Sequence, residues 1–305
     1  TRRANCRSPA RSFRHRMIRI ATRSSAQART QAEVVANAIT TASGEATELV
    51  FVETLGDIKR DVPLHQLGGQ GIFVKEVQQA VLQGLADVAI HSAKDLPSMA
   101  TDGLTVAAWC ERRDARDALV GNTLEGLAQG ATVATGSVRR RAQLLTVRPD
   151  LQFVDLRGNI NTRLEKIPAG GAIVMAIAAL EVLGLTHHVA QALDPNVFVP
   201  MIGQGCVAVE CRTNDAVTRG HVSVVDHATT RRSVEIERAF LAELGAGCSM
   251  PVGAHLDAKD VLHMFMATGD TPSDRHAKRA LPLPVSGDAL EFAREHARAV
   301  RASLQ

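Results

Sequence analysis

Apolar residues fall in short bursts along this chain, and their spacing switches between a period of two and one near 3.6. Residues 17–22 read as a buried strand, residues 27–41 set Ala28, Ala32, Val35 and Ile39 at helical spacing, and residues 48–53 return to β character. The chain therefore opens as a βαβ unit. From 54 to 71 the periodicity gives way to Leu55-Gly56-Asp57, Val62-Pro63 and Gly68-Gly69. This stretch, which contains Asp57, Gln66 and Gln70 and is followed by Phe73, is longer than common connections and makes a candidate lid or active-site loop. Helical spacing resumes over 72–85, with apolar positions 73, 77, 80, 81 and 85. A strand at 87–91 then runs into Ser92-Ala93-Lys94-Asp95-Leu96-Pro97. That places a polar cluster just past a strand's carboxyl end, where open α/β sheets commonly bind ligands.

A strand at 104–110 and a charged run at 111–117 mark a crossing into a second domain, where the same grammar repeats. Strands are expected at 131–134, 151–156 and 171–176, and helices at 138–147, 160–167 and 177–184. Residues 198–205 lead into a strongly apolar strand at 207–211 that could return to the first lobe. From 229 the pattern becomes one long helix (229–244), two strands (251–257 and 261–268) and a terminal helix (287–303), a small α+β unit. The expected division is a disordered basic extension at 1–16, domain 1 at 17–110 and 203–222, domain 2 at 111–202 and domain 3 at 223–305.

Composition narrows the classes. In 305 residues, 45% are apolar and 22% charged, and no apolar run approaches the roughly 20 residues that cross a bilayer, so no membrane association is expected. The formal charge is +3, but residues 1–16 hold six arginines and no acid, leaving the rest at −3. With eight Phe, one Trp and no Tyr, the chain lacks the rings that would interleave with cations on a nucleic-acid surface. Cys6, Cys110, Cys206, Cys211 and Cys248 have neither disulfide-framework nor metal-ligand spacing. A reducing, cytoplasmic location is expected, with no metal. The arginine- and serine-rich start is read as an upstream extension, the alternative being an organelle transit peptide. Cys206 and Cys211 should face opposite sides of a strand and pack.

Thr135-Gly136-Ser137-Val138-Arg139-Arg140 follows a strand and opens a helix, where N–H groups, hydroxyls and guanidinium groups can converge on an anion. The same residues would also serve as an ordinary N-cap, and both readings stand. Asp155-Leu156-Arg157-Gly158-Asn159-Ile160-Asn161-Thr162-Arg163 repeats the arrangement, again setting arginine against a helix dipole. Lys94 and Asp95 are either a solvated pair or part of a site, and His91 reads as a packing residue. Cys248 lies between small residues and a Pro-Gly turn, in Gly245-Ala246-Gly247-Cys248-Ser249-Met250-Pro251-Val252-Gly253. Such backbone freedom suits an exposed sulfur with a covalent anchoring role better than a packed one.

Together, Ile20-Ala21-Thr22-Arg23, Gly71-Ile72-Phe73-Val74-Lys75-Glu76, the 91–97 segment, Leu156-Arg157-Gly158-Asn159, Gly203-Gln204-Gly205 and Gly247-Cys248-Ser249-Met250-Pro251-Val252 closely resemble the porphobilinogen deaminase family. The resemblance runs from Met17 to about Gly253. It implies an α/β fold of two periplasmic-binding-protein-like lobes with mixed β-sheets, plus a smaller α+β C-terminal domain. It also implies a transferase that condenses four porphobilinogen molecules, with loss of ammonia, onto a covalent dipyrromethane primer, and then releases the linear tetrapyrrole by hydrolysis, a step of haem biosynthesis. By motif, Cys248 carries the dipyrromethane as a thioether and Asp95 is the catalytic carboxylate. A carboxylate there can stabilise the azafulvene cation left when ammonia departs. Lys94, Thr135, Ser137, Arg139, Arg140 and Arg157 match cofactor-binding positions, and Arg23, Ser25, Arg157 and Arg163 match substrate-binding positions. Planar guanidinium groups suit the acetates and propionates of these pyrroles.

Three positions depart from the family pattern. Gln66 and Gln70 stand where many members have lysine, and Val182 where many have an arginine that contacts the cofactor, which predicts weaker anion binding or altered elongation. A weakly active or inactive family member and a non-catalytic two-lobed carboxylate-binding protein are the alternatives. The only expected partner is porphobilinogen, and a monomer suffices.

Overall fold

The computed structural model describes residues 17–58, 71, 73–245 and 250–305. The extension at 1–16, Gln66, Gln70 and Cys248 lie outside them, and of Asp57 only the backbone is described. In the first lobe β1 (Ile18–Arg23) leads through α1 (Ala26–Ser43) to β2 (Thr47–Val52). Buried Ala32, Val35, Ala36 and Ile39 form the inward stripe of α1, which starts at the N-cap Ser25 and ends at Gly44 in the left-handed region. The short α2 (Leu55–Ile58) and α3 (Lys75–Leu82) precede β3 (Val88–Ser92) and β4 (Leu104–Trp109).

The second lobe runs β5 (Asp117–Val120), β6 (Thr132–Ala134), α4 (Val138–Val147), β7 (Gln152–Val154), α5 (Ile160–Leu164), β8 (Ala172–Ala176), α6 (Ile177–Val182) and β9 (Val189–Ala192). Then β10 (Val207–Arg212) enters the first sheet between β3 and β4, antiparallel to both, giving the order β2-β1-β3-β10-β4. The second sheet has the order β7-β6-β8-β5-β9, with β6, β7 and β8 parallel and β5 antiparallel to its neighbours. After α7 (Ala216–Val222), a third unit is built from α8 (Ala228–Leu244), the antiparallel sheet β11 (Val252–Leu256), β12 (Val261–Ala267) and β13 (His276–Pro282), and α9 (Ala289–Ala302). One face of that sheet packs on α8 and α9 through Leu262, Met264, Phe240 and Val300. The other face meets the second lobe through Phe265, Ala267, Val199 and Ala142.

Several elements differ from the sequence reading. The helix expected over 72–85 is Lys75–Leu82, and Leu85 is 58% exposed because the chain leaves the helix at Gly84, φ 73°. The helix expected over 160–167 stops at Leu164, consistent with Pro168 disfavouring helical backbone just before it. Strands β5, β9 and β13 were not anticipated. In β5 the apolar run is short and hidden behind the 111–117 charges, and β13 alternates exposed with half-buried positions. Cys206 and Cys211 are both buried, in separate clusters on opposite sides of the first sheet. His91 is buried 3.1 Å from Glu210.

Where the lobes and the third unit meet, Glu237 of α8 is fully buried. It accepts from Arg112 Nη1 at 2.6 Å and Nη2 at 3.1 Å, from Gly203 N at 2.8 Å and from Leu256 N at 2.9 Å, and His255 Nδ1 lies 3.3 Å away. One carboxylate thus ties the outgoing chain crossing, the returning crossing and β11. Burial pushes its pKa up, but the charge of Arg112 and the bond from His255 outweigh that and hold it at about 2. Because the folded value lies below the unfolded one, the stabilisation is present above about pH 4.3 and is lost as pH falls toward 2. Glu237→Ala strands Arg112 and two N–H groups, so chemical denaturation at pH 7 should show a loss of about 3–5 kcal/mol.

Candidate active site

Parallel strands deliver their carboxyl ends to one edge of each sheet. In the first lobe β1 ends at Arg23, and β3 ends at Ser92, followed by the 3₁₀ turn Ala93–Asp95 that carries Lys94 and Asp95. In the second, β6 leads to Thr135 and Ser137, β7 to Arg157 and β8 to α6. The edges face each other. Ser92 and Lys94 of one lobe and Ala176, Ala178 and Ala179 of the other line a common crevice with Gln27, Gln31, Gly205 and Cys206.

Lys94 in this crevice and arginines of both lobes act on one another across the lobe boundary. Arg163 is brought down to about 10, chiefly by burial and then by Arg140 and Arg157, with Arg23 adding repulsion and Asp95 opposing it. Lys94 is brought down to about 8 by burial and then by Arg140, against the attraction of Asp95 and Asp117. Thus Arg23, Lys94, Asp95, Arg140, Arg157 and Arg163, scattered over 141 positions of sequence, form one electrostatic unit. Such a crowd of positive charge favours a ligand with several carboxylates, which would relieve the repulsion and replace lost hydration.

Several predicted residues are engaged within the protein. Arg139 is 3% exposed and donates to Asp117 Oδ2 at 2.7 Å and to the Val199 carbonyl at 2.7 Å, so it sits behind Arg140 as internal support. Ser137 caps α4 by accepting from Arg140 N at 3.4 Å, and Thr135 Oγ1 accepts from Ser137 N at 3.3 Å. Ser25 caps α1, accepting from Ala28 N at 3.4 Å. The capping reading of the Thr-Gly-Ser segment is therefore realised, with the arginines held beside it. Arg23 stacks on Phe73, its guanidinium carbon 4.0 Å from the ring centre, and Arg163 Nε donates to the Gly158 carbonyl at 2.8 Å. Val182 is half-buried at the end of α6.

Two residues given no role by the sequence organise the site. Asp117, fully buried, accepts from Arg139, from Arg140 Nε at 2.9 Å and Nη2 at 2.6 Å, and from Gln204 Nε2 at 3.1 Å. Burial raises its pKa, yet Arg139 and Arg140 carry it well below the carboxylate range. Antiparallel β5 sets Asp117 beside Ala176, the last residue of β8, and so brings a carboxylate to the edge where the helices begin. Gln204 continues the chain, since its Oε1 accepts from Lys94 Nζ at 3.2 Å. Its neighbours must be glycine. Gly203 has φ 68° and a Cβ there would lie 3.0 Å from Ala93 Cβ, while one on Gly205, φ 87°, would lie 2.6 Å from the Arg113 carbonyl. An acid opening an apolar β run, downstream of which two adjacent arginines begin a helix, was the available signal for Asp117.

Among the described residues no cluster of His, Cys, Asp and Glu could hold a metal, and no helix is long and apolar enough to cross a membrane. Family models match twice: "Porphobilinogen deaminase, dipyromethane cofactor binding domain" over residues 18–220, and "Porphobilinogen deaminase, C-terminal domain" over 232–271. A protein of Methanopyrus kandleri named "Probable porphobilinogen deaminase" is 43% identical, covering 91% of this chain and 97% of its own length. The "Porphobilinogen deaminase" of Acidothermus cellulolyticus is 46% identical over 78% of this chain and 74% of its own. Among solved structures, the methionine-binding protein MetQ shares 14% identity at a TM-score of 0.45, over 76% of this chain and 96% of that one.

A bound carboxylate favours the protonated form of Lys94 and so raises its pKa. Affinity for a small tricarboxylate should accordingly fall as pH rises through about 8, with proton uptake on binding peaking there. Calorimetry in buffers of different ionisation enthalpy reads both, and Lys94→Gln should remove the uptake.

Proposed function

The chain belongs to the porphobilinogen deaminase family, and from that premise we propose how its own residues carry out the family's reaction. The protein is a transferase of tetrapyrrole biosynthesis with hydroxymethylbilane synthase function, and its cofactor is dipyrromethane. The observation that carries the assignment of roles is the group of cations at the facing strand ends, Lys94, Arg140, Arg157 and Arg163, which act on one another and on which Asp95 acts. Its donors fit a dipyrrole bearing acetates and propionates, because desolvation and mutual repulsion lower the pKa of half-buried Lys94 and Arg163, a cost that anions would relieve. When bound, the dipyrromethane supplies the pyrrole carbon on which the chain is extended.

Cys248 holds that primer through a thioether, which keeps the growing chain on the protein between additions. In sequence Cys248 follows α8 and the C-cap Gly245. Lys94, Arg140 and Arg157 hold primer carboxylates, with Thr135 and Ser137 shaping the backbone beside them. Arg139 acts through Asp117 by keeping Arg140 in place. Arg23 and Arg163 take the carboxylates of incoming porphobilinogen, and Ser25 fixes the helix start beside Arg23. Phe73 holds the Arg23 guanidinium face-on.

Asp95 stands among cations, and its charge acts on both Lys94 and Arg163. Porphobilinogen loses ammonia from its aminomethyl carbon, and the carboxylate stabilises the cation left behind. The same carboxylate then receives the proton released when the new carbon–carbon bond restores the aromatic pyrrole. Val182 contributes no hydrogen-bond donor, so the anion grip there rests on the remaining arginines. The protein works as a monomer in the cytoplasm, on porphobilinogen alone.

Two substitutions separate the roles. Cys248→Ala should give a folded protein whose intact mass lacks the dipyrromethane. Asp95→Asn should retain that mass when loaded with preassembled cofactor, yet consume porphobilinogen about 10²–10⁴-fold more slowly. A parent protein with neither the added mass nor a pyrrole colour reaction would sink this reading in favour of a carboxylate-binding protein.

A further inference from the structure

The turn bearing Lys94 and Asp95 is held at several points. Ala93 and Leu96 are buried with Trp109, Cys206 and Val234, and Ala93 N donates to the Cys206 carbonyl at 2.9 Å. Lys94 reaches Gln204. Farther on, Thr101 Oγ1 donates to Gln78 Oε1 at 3.1 Å, and Gln78 Nε2 donates to Glu210 Oε2 at 2.8 Å. The stretch between these anchors is gripped from outside its own lobe. Arg238 of α8 donates through Nη2 to the Pro97 carbonyl at 2.7 Å and makes a longer contact with the Ser98 carbonyl at 3.5 Å. Its guanidinium carbon lies 5.8 Å from the centre of the Trp109 ring. Burial lowers its pKa, partly offset by Glu210.

A half-buried arginine set on backbone carbonyls is a costly way to join two domains, since an apolar contact would do so without desolvating a charge. What it adds is direction. A planar guanidinium over an aromatic face can hold a carbonyl in one place, and that carbonyl lies two residues beyond Asp95.

We propose that Arg238 is a positioning residue for the deamination step, fixing the turn that carries Asp95 from the helix of the third unit. This rests on the assignment of Asp95 above. Arg238 acts only through the turn, so its loss should leave substrate binding intact and misplace the carboxylate.

The test uses Arg238→Met and Arg238→Lys in the full chain, isolated with its cofactor, with three readouts: intact mass, kcat and KM for porphobilinogen, and amide exchange across 93–101. Both variants should carry the cofactor mass. Their kcat should fall about tenfold or more while KM stays within about threefold, because a displaced catalytic group costs rate before binding. Amide exchange at Leu96 should quicken by about tenfold, while that of Phe240 in α8 stays unchanged. A kcat within about twofold of the parent, or unchanged exchange at the turn, overturns the proposal and leaves Arg238 a structural tie. If Arg238→Met does not fold, Arg238→Lys carries the same test, since it keeps the stem and charge but lacks the planar group. If the parent neither holds a dipyrromethane nor consumes porphobilinogen, the functional reading fails, and the exchange measurement still decides whether Arg238 holds the turn.

Discussion

Asp117 accepts four hydrogen bonds from three side chains in a place where water does not reach, and the working face of the second lobe depends on it. Two adjacent arginines at a helix start repel one another and oppose the helix dipole. Without an acid between them neither would stay folded inward. The carboxylate takes one guanidinium end-on and the other side-on, which turns Arg140 toward the crevice and Arg139 toward the Val199 carbonyl. A buried ion pair of this kind is weak evidence for stability, because desolvation consumes much of its attraction. Its value here is orientation. The same carboxylate reaches Lys94 of the opposite lobe through the Gln204 amide, so one group sets the geometry of cations on both walls.

The local elements were legible wherever apolar periodicity was strong. Residues such as Val35 and Ile39 in α1, or Val207 and Val209 in β10, face the core at the spacing that predicts them. So were the strand ends, where polar residues interrupt apolar runs and place Lys94, Asp95, Thr135 and Arg157. The rest was not legible, for physical reasons. Strand β5 shows three apolar residues after a charged run, and only its antiparallel pairing with β8 explains why an acid should open it. Arg139 and Arg140 look alike in sequence, yet a helix turns about 100° per residue, so one points to the lining and the other behind it. Long-range partners such as Glu237 and Gly203 leave no local trace.

That geometry gives the third unit more than a place to carry a cysteine. Glu237 and Arg238 are consecutive on α8, and the same 100° step sends them to different targets. Glu237 gathers the two chain crossings between the lobes, while Arg238 takes the carbonyl beyond Asp95. A helix is a stiff body over 17 residues, so a shift at one contact is felt at the other. The crossings decide how far the lobes stand apart, and the turn decides where the carboxylate points. One helix therefore relates the crossings between the lobes to the turn that carries Lys94 and Asp95.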